Sequence, residues 1–220
     1  MIDGITLEVC IENCTRLDEL AANAAVDRVE LCDNLAVGGT TVRYDVAEKA
    51  IQRYRAAGVK VMSIIRPRGG NFVYSEDELA TMQKDIETLC GLGTDGIVFG
   101  CLTSSGSLDR EKTLSLIRTA KEICFGVSSL DLVFHMAFDH IKQDEQLESL
   151  RWLADNGVTR ILTHGSSNMA EPIQNNYDRL KEYIAEGGIE ILPGGGVTAG
   201  NFREICTELG VKQVHGTRLL

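Results

Sequence analysis

Strand-like and helix-like periods alternate along this chain from one end to the other, and that alternation constrains the fold more than any other feature. Short β-branched or apolar runs occur at Thr6–Cys10, Arg28–Cys32, Lys60–Ile65, Gly96–Gly100, Leu132–His135, Arg160–Thr163, Ile189–Leu192 and Gln213–His215. Between them, Asp18–Ala25, Val46–Ala57, Glu78–Leu92, Lys112–Cys124, Glu145–Asn156, Tyr177–Glu186 and Phe202–Leu209 carry apolar residues at helical spacing. Ser75 with Glu78 forms a capping-box pattern, and Asn201 with Glu204 approximates one. Gly58, Gly157, Gly187 and Gly210 stand where a helix gives way to a residue of positive φ. Parallel strands joined by helices require right-handed crossovers. Eight of them fit a single (β/α)8 barrel of the TIM type over residues 1–220, near the short end of that architecture.

An open doubly wound sheet is the rival. Gly194-Gly195-Gly196-Val197-Thr198-Ala199 matches a dinucleotide fingerprint after a strand. That fingerprint needs an acidic residue at the end of the next strand, about 20 positions on. His215-Gly216-Thr217-Arg218 stands there instead. The barrel is the better reading.

Composition excludes several classes of partner. The formal net charge is -10, and no basic run occurs, so the chain lacks the clustered Lys and Arg that nucleic acid or an anionic membrane surface needs. No apolar run approaches the roughly 18 residues of a membrane span. Met1-Ile2-Asp3-Gly4 opens no signal-peptide pattern. Seven cysteines at irregular spacing form no disulfide framework and point to a reducing, cytoplasmic setting.

Strand parity gathers the chemistry at one place. Side chains two apart on a strand share a face. Leu7, Val9, Val29 and Leu31 would face the helices, which leaves Glu8, Cys10, Glu30 and Cys32 for the lumen. The third strand runs into Arg66-Pro67-Arg68-Gly69-Gly70, and the fifth and eighth end in His135 and His215. Barrel active sites are built from such strand ends. Glu8 and Glu30 are candidate acid and base groups, Arg66 and Arg68 candidate anion clamps, and His135 a candidate proton shuttle. Gly194, Gly195 and Gly196, with Thr217 and Arg218, occupy the usual phosphate position of barrels, after strands seven and eight. The same glycines also suit a tight turn. Cys10 and Cys32 end neighbouring strands with equal parity; paired sulfurs suit Cu(I), and buried thiols also simply pack.

These residues resemble the CutC family. The matching stretches include Glu8-Val9-Cys10, Arg28-Val29-Glu30-Leu31-Cys32, Gly38-Gly39-Thr40-Thr41, Arg66-Pro67-Arg68-Gly69-Gly70, Phe134-His135, Ala137-Phe138-Asp139 and Gly194-Gly195-Gly196-Val197. They lie in order over nearly the whole chain. The resemblance implies a cytoplasmic (β/α) barrel of copper homeostasis, with Cu(I) held by Cys10 and Cys32. The mouth residues themselves, with carboxylates, arginines, histidines and an anion cradle, look more like an enzyme acting on a small phosphorylated or carboxylated metabolite than like a copper carrier. Three positions depart from the family pattern: Met136 replaces an arginine, Thr41-Val42-Arg43 replaces a T-P-S turn, and Asn71 replaces an acid.

Only two residues follow Arg218, so strand eight has no helix after it. The outer face of Val214 would then lie open, and a large open apolar face calls for a partner, most simply in a C2 homodimer. Closure of the gap within one chain, by Met1–Ile5 or by a shifted first helix, is the alternative.

Overall fold

A computed structural model describes residues 1–123 and 130–220. Eight strands build the inner wall: β1 (Thr6–Glu12), β2 (Arg28–Cys32), β3 (Lys60–Ile64), β4 (Gly96–Phe99), β5 (Asp131–Phe134), β6 (Arg160–Thr163), β7 (Glu190–Pro193) and β8 (Gln213–Gly216). Seven helices cover them: α1 (Leu17–Ala22), α2 (Tyr44–Ala56), α3 (Glu76–Leu92), α4 (Arg110–Ile123), α5 (Gln146–Asp155), α6 (Tyr177–Glu186) and α7 (Phe202–Leu209). The strands pair in parallel in the order β7-β6-β5-β4-β3-β2-β1-β8. Beyond the strand ends, a parallel bridge between Thr198 and Arg218 draws β7 and β8 together. The result is a (β/α)8 barrel, nearly closed.

Local chemistry explains the elements. Arg28–Cys32 is buried at every residue, because its two faces look onto helices and lumen. On α2, Ala47, Ala50, Ile51 and Tyr54 form one buried stripe at helical spacing. Ser75 and Glu78 complete a reciprocal capping box at the start of α3. Gly58, Gly157, Gly187 and Gly210 all take positive φ. The cap expected at Asn201 does not form. Its Oδ1 accepts from the Thr198 amide and its Nδ2 donates to the Gly196 carbonyl, so it braces the glycine loop instead. The last residue expected in the fourth helix, Cys124, lies outside the described residues.

The core divides as strand parity requires. Leu7, Val9, Val29 and Leu31 belong to the large layer between strands and helices. Cys10, Cys32, Met62, Ile64, Val98, Val133, Leu162 and Leu192 form a second, smaller cluster inside the barrel.

The expected open face on β8 is absent. Val214 is fully buried within the chain, and Ile2 and Ile5 pack against the same core. Ile2 and Ile5 bridge each other, and Asp3 pairs with Arg203 of α7 at 2.7 Å. Val214 is thus covered within the chain itself, so the argument for a partner subunit from an open β8 face falls away. No helix of the described residues is long and apolar enough to cross a membrane.

Candidate functional site

The C-terminal ends of the strands open into a cavity of about 890 Å³. Cys10, Glu30 and His215 line its floor, Arg66, Phe72 and His135 one wall, and Gly195, Gly196, Thr217 and Arg218 the opposite rim. Glycine makes the room. A Cβ on Gly194 would stand 2.6 Å from Leu162 Cδ1 and 2.9 Å from Met136 Cε; one on Gly100 would meet His135 Cε1 at 2.6 Å. These strand-end positions can carry no side chain without displacing the wall.

Register explains the floor. Glu8 stands beside Arg28 on β2 and beside His215 on β8, while Cys10 stands beside Glu30. Glu8 accepts from the Arg28 guanidinium and lies 2.8 Å from His215 Nδ1. Burial pushes the Glu8 carboxyl up, but Arg28 and then the His215 hydrogen bond outweigh it and hold the group at about 2. Glu8 is therefore an ionised support beneath the cavity, not a group on its surface. Burial alone would lower His215, but Glu30 and Glu8 together raise it.

Glu30 behaves differently. Burial raises its carboxyl, the neighbouring Glu8 adds to the rise, and His215 opposes it. Cys10 Sγ donates to Glu30 Oε1 at 3.5 Å, and Glu30 Oε2 is buried without a partner. Cys10 Sγ lies 3.9 Å from Cys32 Sγ, and the Cys32 thiol donates to the Ile11 carbonyl at 3.1 Å. The hydrogen bond to Cys32, then burial and Glu30, push the Cys10 thiol well above its ordinary range. Both cysteines are free thiols. Cys10, Glu30 and His215 each bring one ligand atom within 4.8 Å of the others.

Arg66, Arg68 and His135 each already hold protein partners. Arg66 borders the cavity, yet its guanidinium donates to the carbonyls of Val37, Gly39 and Gly70 at 2.8, 2.9 and 3.0 Å. It staples the loop after β2 to the loop after β3 and stacks over Phe72. Arg68 does not line the cavity; it pairs with Glu78 at 2.5 Å, which joins it to the α3 cap. Asn71, standing where the family has an acid, meets Arg68 through Oδ1 at 3.2 Å. His135 faces the cavity, but burial and then Arg66 lower it to about 3, so it is neutral at physiological pH. Its Nδ1 accepts from the Ala137 amide and its Nε2 is buried without a partner.

Three residues given no role from sequence shape the mouth. His215 is the floor group that Glu8 orients. His164, fully buried after β6, places Nδ1 3.1 Å from the Gly195 carbonyl. Asp139 accepts from Thr163 Oγ1 and from the amides of His164 and Gly165. It ties the loop after β5 to the end of β6. The signal for the histidines was parity: Arg160, Leu162 and His164 share a face, as do Gln213 and His215.

Known proteins place this geometry in context. The pattern of the CutC family matches residues 5–219. A family protein CutC of Enterococcus faecalis is 46% identical over 215 residues, 97% of this chain and 99% of that protein. The human copper homeostasis protein cutC homolog is 35% identical over 216 residues, 97% of this chain and 73% of that protein. The crystal structure of CutC from Streptococcus agalactiae superposes with a TM-score of 0.91 at 48% identity, covering 98% of this chain and 100% of the other. A deoxyribose phosphate aldolase of Aeropyrum pernix, at 13% identity and a TM-score of 0.70, shares the barrel alone. The match runs from the first strand to the last residues, and the chain belongs to the CutC family.

Proposed function

We propose that this chain serves copper homeostasis in the cytoplasm by taking up Cu(I) between Cys10 and Cys32. The observation that carries this reading is the 3.9 Å separation of the two sulfurs at the base of an open cavity. With metal–sulfur bonds of about 2.3 Å, one ion reaches both in a bent arrangement. The donors also fit by softness. A thiol raised by burial and by a second thiol keeps its proton against hard cations, and yields it to a soft ion that bonds strongly to sulfur. Cys10 borders the cavity and Cys32 lies behind it, so the ion enters past Cys10. Free thiols at this spacing are consistent with a reducing compartment. Anaerobic competition with a chromogenic Cu(I) chelator tests the reading. One ion per chain is expected, with at least a hundredfold loss of affinity in Cys10→Ser and Cys32→Ser and none in Cys206→Ser. Undiminished binding by Cys32→Ser would overturn it.

The size of the cavity favours a second reading. About 890 Å³ far exceeds the needs of an ion and lies in the range of small-molecule sites. A small phosphorylated or carboxylated metabolite would lie against Gly195, Gly196, Thr217 and Arg218, above Glu30 and His215. Inorganic phosphate should then raise the melting temperature of the parent protein and not of Gly196→Asp. An identical response in both would refute the rim as an anion seat.

A further inference from the structure

We infer that Cys10, Glu30 and His215 form a second kind of metal site, a three-ligand seat for a divalent cation of the zinc class with one position open to the cavity. It goes beyond the Cu(I) reading, because it uses Cys10 with two non-sulfur donors and does not need Cys32.

Four observations converge. The three ligand atoms lie within 4.8 Å of one another, one on each of the neighbouring strands β1, β2 and β8. Glu30 is 4% exposed, and its Oε2 meets no partner. Buried carboxylate oxygens are nearly always satisfied, so this one is poised for a ligand. His215 has Nδ1 committed to Glu8, which leaves Nε2 as its ligating nitrogen. A ligating histidine almost always turns its other nitrogen to a carboxylate or carbonyl, and Glu8, itself fixed by Arg28, is such a support. Finally, all three residues border the large cavity. Three protein ligands with a fourth position open to solvent or substrate are the pattern of catalytic zinc, whereas structural zinc is fully enclosed by four.

Charge decides the class of ion. A Cys10 thiolate and a Glu30 carboxylate carry two negative charges into residues 7% and 4% exposed, which a dication cancels and a monovalent ion does not. The adjacent Glu8–Arg28 pair is already neutral as a unit. One sulfur, one imidazole nitrogen and one carboxylate oxygen form a borderline donor set, suited to zinc and poor for magnesium or calcium. The open position would take an oxygen atom, from water or from a small oxyanion or carbonyl compound in the cavity.

Co(II) and Zn(II) titration of the metal-free protein under reducing conditions tests this. Co(II) should bind one per chain with a thiolate-to-cobalt charge-transfer band and the intense visible bands of four-coordination, and Zn(II) should displace it. Cys10→Ser should abolish the charge-transfer band. Glu30→Gln and His215→Gln should each weaken Zn(II) at least tenfold while leaving Cu(I) affinity within about threefold. Glu8→Gln should weaken Zn(II) 10- to 100-fold with every ligand still present. Cys32→Ser should do the reverse, abolishing Cu(I) and sparing Zn(II). Circular dichroism identifies any variant that fails to fold, and the remaining two of Glu30→Gln, His215→Gln and Glu8→Gln then carry the test. Failure of the parent to bind Co(II), or binding that survives Glu30→Gln but is lost in Cys32→Ser, would overturn the three-ligand seat without touching the Cu(I) reading.

Discussion

At the N-terminal end of the barrel lumen, polar side chains close on one another in a belt. Glu8 pairs with Arg28, Arg28 donates to Gln213, Gln213 donates to Glu190, and Glu190 pairs with Arg160, which also holds Asp131. Arg160 Nε is the atom of this belt that lacks a partner. At the C-terminal mouth, four residues of comparable burial leave an atom unmatched: Glu30 Oε2, His135 Nε2, His164 Nε2 and Arg66 Nε. The same lumen thus holds charge in two ways. A belt of paired charges stabilises a fold, whereas unpaired buried donors and acceptors cost stability, and four of them at one mouth are what a ligand would satisfy.

Breaking the belt should give the largest effect. Arg28→Met leaves the Glu8 charge buried without its main partner, which typically costs about 3–5 kcal/mol. For a domain of this size that corresponds to a fall in melting temperature on the order of 10 °C. Glu30→Gln at the mouth should change stability by less than about 1 kcal/mol, since no ion pair is lost. Urea unfolding of both variants compares the two ends directly, and equal losses would erase the distinction.

Acid sharpens the comparison through groups of opposite sign. His135 is held neutral down to about 3, whereas the unfolded chain protonates it near 6.5. The unfolded state binds more protons between those values, so this contribution is complete above pH 6.5 and lost as pH falls toward 3. Its ceiling is about 5 kcal/mol. Burial raises Asp139 to about 6 despite its hydrogen bonds, so the native state keeps a proton that the unfolded state releases near 3.8. That contribution is present at low pH and lost as pH rises from about 4 to 6. The two slopes oppose each other across pH 4–6. In His135→Gln the first disappears, and stability over that window should turn toward decline with rising pH. A parent and variant of parallel pH–stability curves would show that His135 titrates normally.

Much of this division was written in the chain. Parity on β1 and β2 separates Leu7, Val9, Val29 and Leu31 from Glu8, Cys10, Glu30 and Cys32, because a two-residue repeat leaves no other choice. Residue type at a strand end does not reveal which partner claims a charge. Glu8 and Glu30 hold the same kind of position on the neighbouring strands β1 and β2, yet Arg28 and His215 hydrogen-bond the first and leave Oε2 of the second without a partner. Arg66 and Arg68 read as anion clamps because free guanidinium groups bind anions, but the carbonyls of Val37, Gly39 and Gly70 and the Glu78 carboxylate claim them. The carbonyls lie between the regular elements, where periodicity carries no information, and Glu78, though legible as a capping residue of α3, gave no sign of its second partner. The N-terminal arm stood in the sequence only as an alternative to a partner subunit, since five residues have too few turns to show a period; Ile2 and Ile5 pack on the core.

The smallest effects expected lie within the glycine loop, and they separate room from conformation. Gly194 has no strain in φ, but a Cβ there would press on Leu162 and Met136 at 2.6 and 2.9 Å. Overpacking of that kind costs about 1–3 kcal/mol, so Gly194→Ala should both destabilise and push the lining residues Leu162 and Met136 into the cavity. Gly196 is the converse. Its φ is +78°, yet nothing lies within 4 Å of the Cβ position, so Gly196→Ala meets only the backbone penalty of about 1 kcal/mol. If the mouth is shaped for a ligand, Gly194→Ala should lose phosphate or metal binding out of proportion to its stability, and Gly196→Ala should lose stability with little change in metal binding. Thermal melts paired with Co(II) titration of the two variants measure both quantities. Metal affinities that simply follow stability would show that the loop contributes conformation and no shape.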